Sequence, residues 1–188
     1  MAFYNDEVLI GNNMKRIASI MLLFVFILSV TIAGAYDVLY VKNWEVNQND
    51  VIKNYIHKSP YKMYTLSQLQ GYTNKLLNYI LAIDENYKDK VVIIRVSSDI
   101  TRDFMFINNK LYVITDYMQK SSEEYISGTI AQLEKQYGVP QKQSEGTTTT
   151  YTFTKDESKV IAIAENKGKH YSLTIYYYYK NLFRSLMQ

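Results

Sequence analysis

Cysteine is absent from this chain of 188 residues. Its absence excludes disulfide bonds, a lipid attached to a cysteine after an export signal, and the thiolate ligands of many zinc sites. A domain built from this chain must therefore be held together by its apolar core alone. The length is sufficient, since a domain of about 150 residues buries roughly 70% of the surface that its unfolded chain exposes.

Residue types that carry catalysis are also scarce. The only histidines are His57 and His170, and the seven glycines form no Gly-rich loop that would bind phosphate. His170 lies in a turn-like sequence before a strand, where a solvated histidine is the ordinary interpretation, and His57 at the end of a helix suits the helix dipole. The sequence therefore predicts no catalytic residue, no metal ligand and no cofactor.

After residue 36, carboxylates occur in three adjacent pairs, at residues 84–85, 123–124 and 156–157. These positions correspond to a helix end, a first helical turn and a hairpin turn, where solvated structural roles are common. Residues 99–103 carry two aspartates and an arginine, and we expect an exposed cluster of weak ion pairs there. None of these groups indicates a site for general acid–base chemistry.

The charges are nearly balanced, with 21 Lys and Arg against 18 Asp and Glu and a net charge of +3. So small an excess does not indicate a nucleic-acid partner or attraction to an anionic membrane. The chain has 19 tyrosines and is also rich in Asn, Lys and Ile, all encoded by AT-rich codons. This composition favours a bacterial source with an AT-rich genome.

One long run without a charge occupies residues 17–36. It follows Lys15 and Arg16 and ends with Ala33 and Ala35, small residues at the alternate positions that the signal peptidase reads. A helix of this length spans roughly 30 Å, which is enough to cross a bilayer. The segment is therefore predicted to be an export signal or a membrane anchor, with the basic pair on the cytoplasmic side.

Two outcomes of this segment stay open. Cleavage before Tyr36 is favoured by the alanine pair and would release a periplasmic or extracellular domain. Without cleavage, the chain stays tethered to the inner membrane with its C-terminal domain outside the cytoplasm. Residues 1–13 place Asp6 and Glu7 ahead of the basic pair, so Met14 is an alternative start.

The chain divides by composition into three parts. We predict a signal peptide or anchor over residues 1–35, an Asn-rich lead segment with a short helix over 36–64, and an α+β domain over 65–188. Ser59-Pro60 should end the short helix, because proline disfavours helical geometry in the residue before it.

Two longer helices are predicted inside the domain. Thr65 and Gln68 form a capping box that opens the first, and residues 121–124 open the second, which should stop at Gly138. Apolar side chains recur at helical spacing in both, at Leu69, Tyr72, Leu76, Tyr79, Ile80 and Ile83 in the first and at Ile126, Ile130, Leu133 and Tyr137 in the second. Each helix should therefore bury one face.

Three strand-like runs follow each helix. They occupy residues 91–96, 104–107 and 111–117 after the first helix, and 147–154, 159–164 and 171–179 after the second. Their connections are short and turn-like, among them Asn108-Asn109, so the strands should be antiparallel. The predicted fold is α+β, with tandem α-β-β-β units at 65–118 and 119–188 and antiparallel sheet packed on helices.

This order of elements resembles small periplasmic modules in which a helix packs on a three-stranded meander. The SmpA/OmlA outer-membrane assembly factors and the tandem β-lactamase inhibitor proteins are examples, and the resemblance is architectural over residues 65–180. The segments FMFINNKLYVITDYM and IAQLEKQYGVPQ are also similar to a hairpin-and-helix pattern in exported bacterial proteins of unknown function. The resemblance implies a binding or accessory module and assigns no catalytic residue.

The last strand offers a candidate protein-binding site. Alternation sends Tyr171, Leu173, Ile175, Tyr177 and Tyr179 to the core and Ser172, Thr174, Tyr176 and Tyr178 to the other face. We predict that Thr174, Tyr176 and Tyr178 bind a protein, because tyrosine rings beside hydroxyl groups are typical of recognition surfaces. Alternatively, a C-terminal helix covers these rings with its apolar residues, Leu182, Phe183, Leu186 and Met187.

These observations predict an exported, non-enzymatic binding or accessory protein of the bacterial cell envelope, whose partner is another envelope protein. An alternative keeps residues 17–36 as a permanent anchor and makes the chain a subunit of an envelope, motility or secretion complex at the inner membrane. A third hypothesis is a hydrolase of envelope polymers, with Asp or Glu as the catalytic groups and aromatic side chains as sugar platforms.

Overall fold

The computed structural model describes residues 38–39, 41, 43–56, 59–69 and 85–186. Eight strands in this part of the chain form one antiparallel sheet. The strands are β1 (Tyr61–Thr65), β2 (Val91–Ser97), β3 (Thr101–Ile107), β4 (Lys110–Ser121), β5 (Gln141–Glu145), β6 (Thr148–Lys155), β7 (Ser158–Asn166) and β8 (Tyr171–Tyr179). Their order across the sheet is β1-β2-β3-β4-β8-β7-β6-β5.

The described helices are short, with one exception. They are α1 (Gln48–Val51), which continues into a π turn at Ile52–Ile56, α2 (Glu123–Tyr137) and α3 (Leu182–Leu186), with 3₁₀ turns at Leu66–Gln68 and Glu85–Lys90. The short helix predicted in the lead segment is therefore present, and it ends before the Ser-Pro pair as expected.

The sheet consists of two four-stranded meanders, β1–β4 and β5–β8, which meet where β4 pairs with β8. The predicted combination of helices with an antiparallel sheet is confirmed. The prediction of three strands in each unit was wrong, because it missed the edge strands β1 and β5. In β5 every residue is exposed. Its pairing therefore depends on backbone hydrogen bonds and leaves no alternation of apolar residues in the sequence.

The two faces of the sheet are called inner and outer here. The inner face carries Leu173, Ile175 and Tyr177 of β8, all fully buried, and helix α2 packs against it. The ring centroids of Tyr137 on α2 and Tyr177 are 6.3 Å apart. All four residues of the predicted stripe of α2 are buried, namely Ile126, Ile130, Leu133 and Tyr137. The prediction for the packing face of this helix is confirmed.

The predicted helix-capping and turn residues have the expected geometry. At the start of α2, the Ser122 hydroxyl oxygen accepts a hydrogen bond from the Tyr125 N–H at 3.1 Å, and Gly138 ends the helix with a φ of 89°. Asn108 and Asn109 take φ values of 51° and 62° in the β3–β4 hairpin. Positive φ at both central residues suits a tight two-residue turn, and asparagine tolerates it better than most residues.

The outer face differs between the two halves of the sheet. Over β2, β3 and β4 it carries a buried apolar cluster that includes one residue of α3, and the main members are Val91, Ile93, Met105, Ile107, Val113 and Leu182. We call these residues the outer cluster, and Leu66 and Leu69 pack against it. Over β7 and β8 the outward residues are only partly buried. One half of the outer face is closed and the other is open.

The lead segment is attached to the sheet by buried polar contacts. The Trp44 Nε1–H donates to the Ser158 hydroxyl oxygen at 2.9 Å, and the Tyr137 hydroxyl donates to the Leu39 carbonyl at 2.7 Å. Val38, at the start of the segment, is only 3% exposed. The described part of the lead segment therefore belongs to the same compact unit as the sheet.

Two segments predicted to be helical lie outside the described residues. They are the uncharged run 17–36 and most of the helix expected after Thr65. At its described start, the Thr65 N–H donates to the Gln68 side-chain oxygen at 2.9 Å, as a capping box requires. Within the described ranges, no helix is long and apolar enough to cross a membrane.

We expect Leu133→Ala and Ile130→Ala each to lower the free energy of unfolding by ~2–4 kcal/mol, because both leave a cavity beneath α2. Urea denaturation followed by circular dichroism measures the loss. Glu134→Ala, at an exposed position in the same helix, is the control and should change the free energy by less than about 0.5 kcal/mol. Equal effects of the three substitutions would show that α2 does not pack on the sheet.

Candidate binding face

The three residues predicted to bind a partner lie on the outer face of β8. Thr174, Tyr176 and Tyr178 are partly exposed, whereas Leu173, Ile175 and Tyr177 are fully buried on the inner face. The predicted alternation is confirmed over residues 173–178. The prediction that Tyr171 and Tyr179 are core residues was wrong, because both lie at the ends of the strand and stay partly exposed. Because the inner residues are covered by α2, the side of β8 that a partner can reach is the outer one.

Neighbouring strands extend this surface beyond β8. Tyr176 lies directly opposite Thr115 on β4 and Ile161 on β7, and Thr174 lies opposite Tyr117 and Ile163. On β6, Thr152 lies opposite Ile161 and Thr150 lies opposite Ile163, so each continues one of these two rows. We call the partly exposed members of these rows the open face: Tyr117, Thr150, Thr152, Ile161, Ile163, Thr174 and Tyr176. It combines hydroxyl groups, branched apolar side chains and two aromatic rings without a charge.

Tyr178 has a different environment from Tyr176. It pairs with Val113 and packs against the outer cluster, to which Leu182 of α3 also belongs. The Lys159 ammonium lies 5.9 Å from the centroid of its ring. The hypothesis that the C-terminal helix covers these tyrosines is therefore supported for Tyr178, since β8 crosses at that point into the closed half of the outer face.

The hydroxyl of Tyr176 is suited to donating a hydrogen bond. Partial burial raises the pKa of its phenol above the usual value of 10.0. The group therefore stays protonated at neutral and moderately alkaline pH, where its proton is available to an acceptor on a partner. A ring with one polar tip fits a surface that combines apolar and hydroxyl side chains.

An ion pair with a buried carboxylate continues the row that contains Tyr176 across β3 and β2. The Arg95 Nε and Nη2 atoms each donate to the Asp103 carboxylate at 2.7 Å, and Asp103 is 1% exposed. Asp103 is opposite Thr115, which in turn is opposite Tyr176. The expectation of an exposed, weak cluster over residues 99–103 is wrong for this aspartate, because β3 is a central strand covered on both faces.

A second buried ion pair lies on the inner face of the same strand. The Arg102 Nε atom donates to Asp116 Oδ1 at 2.6 Å and its Nη2 atom to Oδ2 at 3.0 Å, while the Asp116 side chain is fully buried. Arg102 therefore also departs from the expected exposed cluster. Two planar, bidentate contacts tie β2 to β3 and β3 to β4, and such geometry is among the strongest that proteins use.

A cavity of about 730 Å³ adjoins the open face. Its walls come from the β2–β3 connection, the end of β4 and the start of α2, and include Asp99, Thr101, Tyr117, Lys120, Ser122 and Tyr125. The β4–β8 register shifts between Met118 and Ser121, which places two residues of β4 opposite one of β8. A bulge of this kind redirects side chains at the edge of a site. Tyr117 belongs to both the open face and the cavity wall.

The cavity carries charged groups that the open face lacks. Asp99 and Lys120 supply one carboxylate and one ammonium group at its wall. Burial raises the pKa of the Tyr125 phenol, and the negative charges of Asp99 and Asp116 raise it further. The Tyr125 phenol therefore stays protonated at neutral pH.

In the described part of the chain, histidines and paired carboxylates do not converge on this site. His57 lies outside the described residues, and His170 is partly exposed in the turn before β8. Glu123 and Glu124 occupy the first turn of α2, where negative charge suits the helix dipole. Among the described residues, no group of three or more acidic or histidine side chains is arranged to hold a metal ion.

No protein-family model, no curated protein and no solved structure matches this chain. The resemblance to SmpA/OmlA and β-lactamase inhibitor modules therefore stays a prediction. The function has to be argued from the open face and its surroundings.

The sequence identified the β8 part of the candidate site and missed the remainder. Ile161 and Ile163 lie in a run that was predicted to be a strand, and alternation alone would have put them on one face. Their place beside Tyr176 depends on the order of β7 and β8. Tyr117 joins the face through the pairing of β4 with β8, which brings together segments far apart in the sequence.

We expect Asp116→Ala to lower the free energy of unfolding by about 3 kcal/mol, because it leaves the mostly buried Arg102 guanidinium without this carboxylate. Thermal and urea unfolding measure the effect. Glu165→Ala breaks an exposed ion pair with Lys167 and is the matched control, with an expected cost below about 1 kcal/mol.

Replacing both members of the buried pair, Arg102→Met with Asp116→Leu, should restore much of the stability, since no charge is then left unpaired. A loss for Asp116→Ala no larger than that for Glu165→Ala would contradict the buried ion pair.

Proposed function

We propose that this chain is an exported, non-enzymatic binding or accessory protein of the bacterial cell envelope, which holds another envelope protein on its open face. The observation that carries the proposal is the difference between the two faces of β7 and β8. Over residues 158–164 and 173–177 the inner residues are buried, whereas the outer ones form a continuous surface of aromatic, branched apolar and hydroxyl side chains that stays partly exposed.

The chemistry of the open face favours a protein partner. Ile161, Ile163 and the Tyr176 ring offer apolar area that would be removed from water, and the threonine hydroxyls can pair with backbone groups of an extended segment. Interfaces of this composition have an aromatic anchor near their centre and few charges. The adjoining cavity, with Asp99 and Lys120, would accept one long side chain of the partner.

Residues 17–36 support the proposed export. In the leading form of the proposal the segment is cleaved before Tyr36 and the domain is periplasmic or extracellular. In the second form it stays as an anchor, and the chain is a subunit of an envelope, motility or secretion complex at the outer side of the inner membrane.

We further propose that the two meanders descend from one duplicated unit. Each consists of four strands in consecutive order along the chain. The repeat that the two halves share is therefore the four-stranded meander. This arrangement also motivates the resemblance to tandem periplasmic binding modules, with the sheet as the binding element.

The open face is tested with Tyr176→Ser in a capture experiment. Protein with a crosslinker at an exposed lysine is incubated with envelope from the native host, and the partner recovered by wild type is identified by mass spectrometry. With that partner purified, Tyr176→Ser should weaken binding by about 2 kcal/mol or more, roughly 30-fold in Kd. The expected cost in folding stability is about 1 kcal/mol, because the ring is only partly buried.

Tyr151→Ser is the matched control for this experiment. Tyr151 is a partly exposed tyrosine in the same half of the sheet, but it points to the inner side, where it lies opposite Ala162. Binding by this variant should equal that of wild type. Equal affinity for the Tyr176 variant and wild type, with both folded, would place the binding surface elsewhere and refute the proposed role of the open face.

For the export proposal, the chain recovered from its native host should begin at Tyr36. N-terminal sequencing of the protein from periplasmic and membrane fractions is the measurement. A chain that retains residues 17–36 in the membrane fraction would support the anchored form instead, and one found in the cytoplasm would exclude both.

A further inference from the structure

The two edges of the sheet are protected to different degrees. The outermost strand on one side, β5, exposes only polar side chains, among them Lys142 and Glu145, which discourage pairing with another strand. The outermost strand on the other side, β1, exposes Tyr61 and Met63, which are 41% and 48% accessible. Among the described residues, only one other large hydrophobic side chain is as exposed. β1 is therefore the edge that is open to a further strand.

The two exposed apolar residues of β1 share one face. Tyr61 and Met63 lie opposite Val96 and Ile94 of β2, so they continue the inner face of the sheet past its last strand. Lys62 and Tyr64 point to the outer side, where the Arg95 guanidinium lies 5.8 Å from the centroid of the Tyr64 ring. A strand added to this edge would cover apolar surface on one side and meet a cation and an aromatic ring on the other.

We propose that β1 pairs antiparallel with β1 of a second copy of this chain, with a twofold axis at Met63. This interaction is separate from the open face, which lies over β7 and β8. The result is a continuous sheet of sixteen strands in which both open faces stay accessible on the same side.

The register follows from which residues share a face. Pairing about Met63 places the two Met63 side chains opposite each other and each Tyr61 opposite Thr65 of the other copy, while each Lys62 meets a Tyr64 ring. Moving the twofold axis from Met63 to Lys62 would put the two Lys62 side chains opposite each other. Moving it to Tyr64 would leave Tyr61 without a partner in the other β1. The Met63 register is therefore the one in which the segment complements itself.

A second copy fits this edge better than an unrelated strand for two reasons. The pairing is closed by symmetry, so it stops at two copies and leaves no new edge of the same kind. It also needs no sequence other than the one that β1 already has. Since only five residues pair on each side, the contact is small and the dimer should be weak, in the range of transient interfaces.

The absence of cysteine allows a direct test of this geometry. In the full chain purified in detergent, Met63→Cys should form a disulfide-linked dimer under mild oxidation, because Cα atoms directly opposite each other in an antiparallel pair are about 4.5–5.5 Å apart, within the range that a disulfide spans. The readout is the fraction of dimer on a non-reducing gel over time. Gln143→Cys, at the centre of the opposite edge strand β5, is the matched control and should react at least about tenfold more slowly.

A mixed sample tests the register itself. Lys62→Cys protein combined with Tyr64→Cys protein should give more crosslinked dimer than either protein alone, because these two positions face each other and neither faces itself. Association through any other part of the chain would not produce this preference.

Met63→Lys provides the test without crosslinking. It places a charge at the twofold axis and, at a half-exposed edge position, should leave the fold intact as judged by circular dichroism. Sedimentation at high protein concentration should show dimer for wild type and monomer for this variant. Equal crosslinking of the Met63 and Gln143 variants, or an unchanged dimer fraction in Met63→Lys, would overturn the proposal.

Discussion

The pairing of β4 with β8 is the interaction on which the rest of the structure depends. It is the point at which the two meanders become one sheet, and it places Ile114 beside Tyr177 on the inner face and Thr115 beside Tyr176 on the outer face. Helix α2 rests on the inner side of this junction, and the open face begins on its outer side. Without the junction, β8 would have no strand on one flank, and the candidate site would lose Tyr117.

The two ion pairs favour a single register among β2, β3 and β4, the strands on one side of this junction. A slip of one residue in β3 would move Asp103 away from Arg95 and Asp116 away from Arg102, leaving buried carboxylates without these partners. The same slip would also turn the apolar side chains of β3 to the opposite face. The pairs contribute to specificity in this way even if two well-packed apolar residues would give equal stability, and the open face depends on that specificity.

The sequence predicted most of the elements and little of their arrangement. Helix α2, the Asn108-Asn109 turn and six strands were found because each has a local signal: a cap, a positive φ or an alternation of apolar residues. Two edge strands were missed because their side chains are not buried on one face. The β4–β8 pairing and the burial of Asp103 and Asp116 were missed because both depend on contacts between distant segments. For the candidate site, alternation within β8 was sufficient, and strand order was not predictable.

Trp44 is the only tryptophan in the chain, and its position makes the protein's intrinsic fluorescence a local signal. The indole is 8% exposed, donates to Ser158 at the start of β7, and has its centroid 6.3 Å from that of the Tyr179 ring. With 19 tyrosines as energy donors and one indole as acceptor, emission arises largely from the place where the lead segment meets the sheet. A red shift that precedes the loss of sheet ellipticity would therefore show that the lead segment detaches as a separate step.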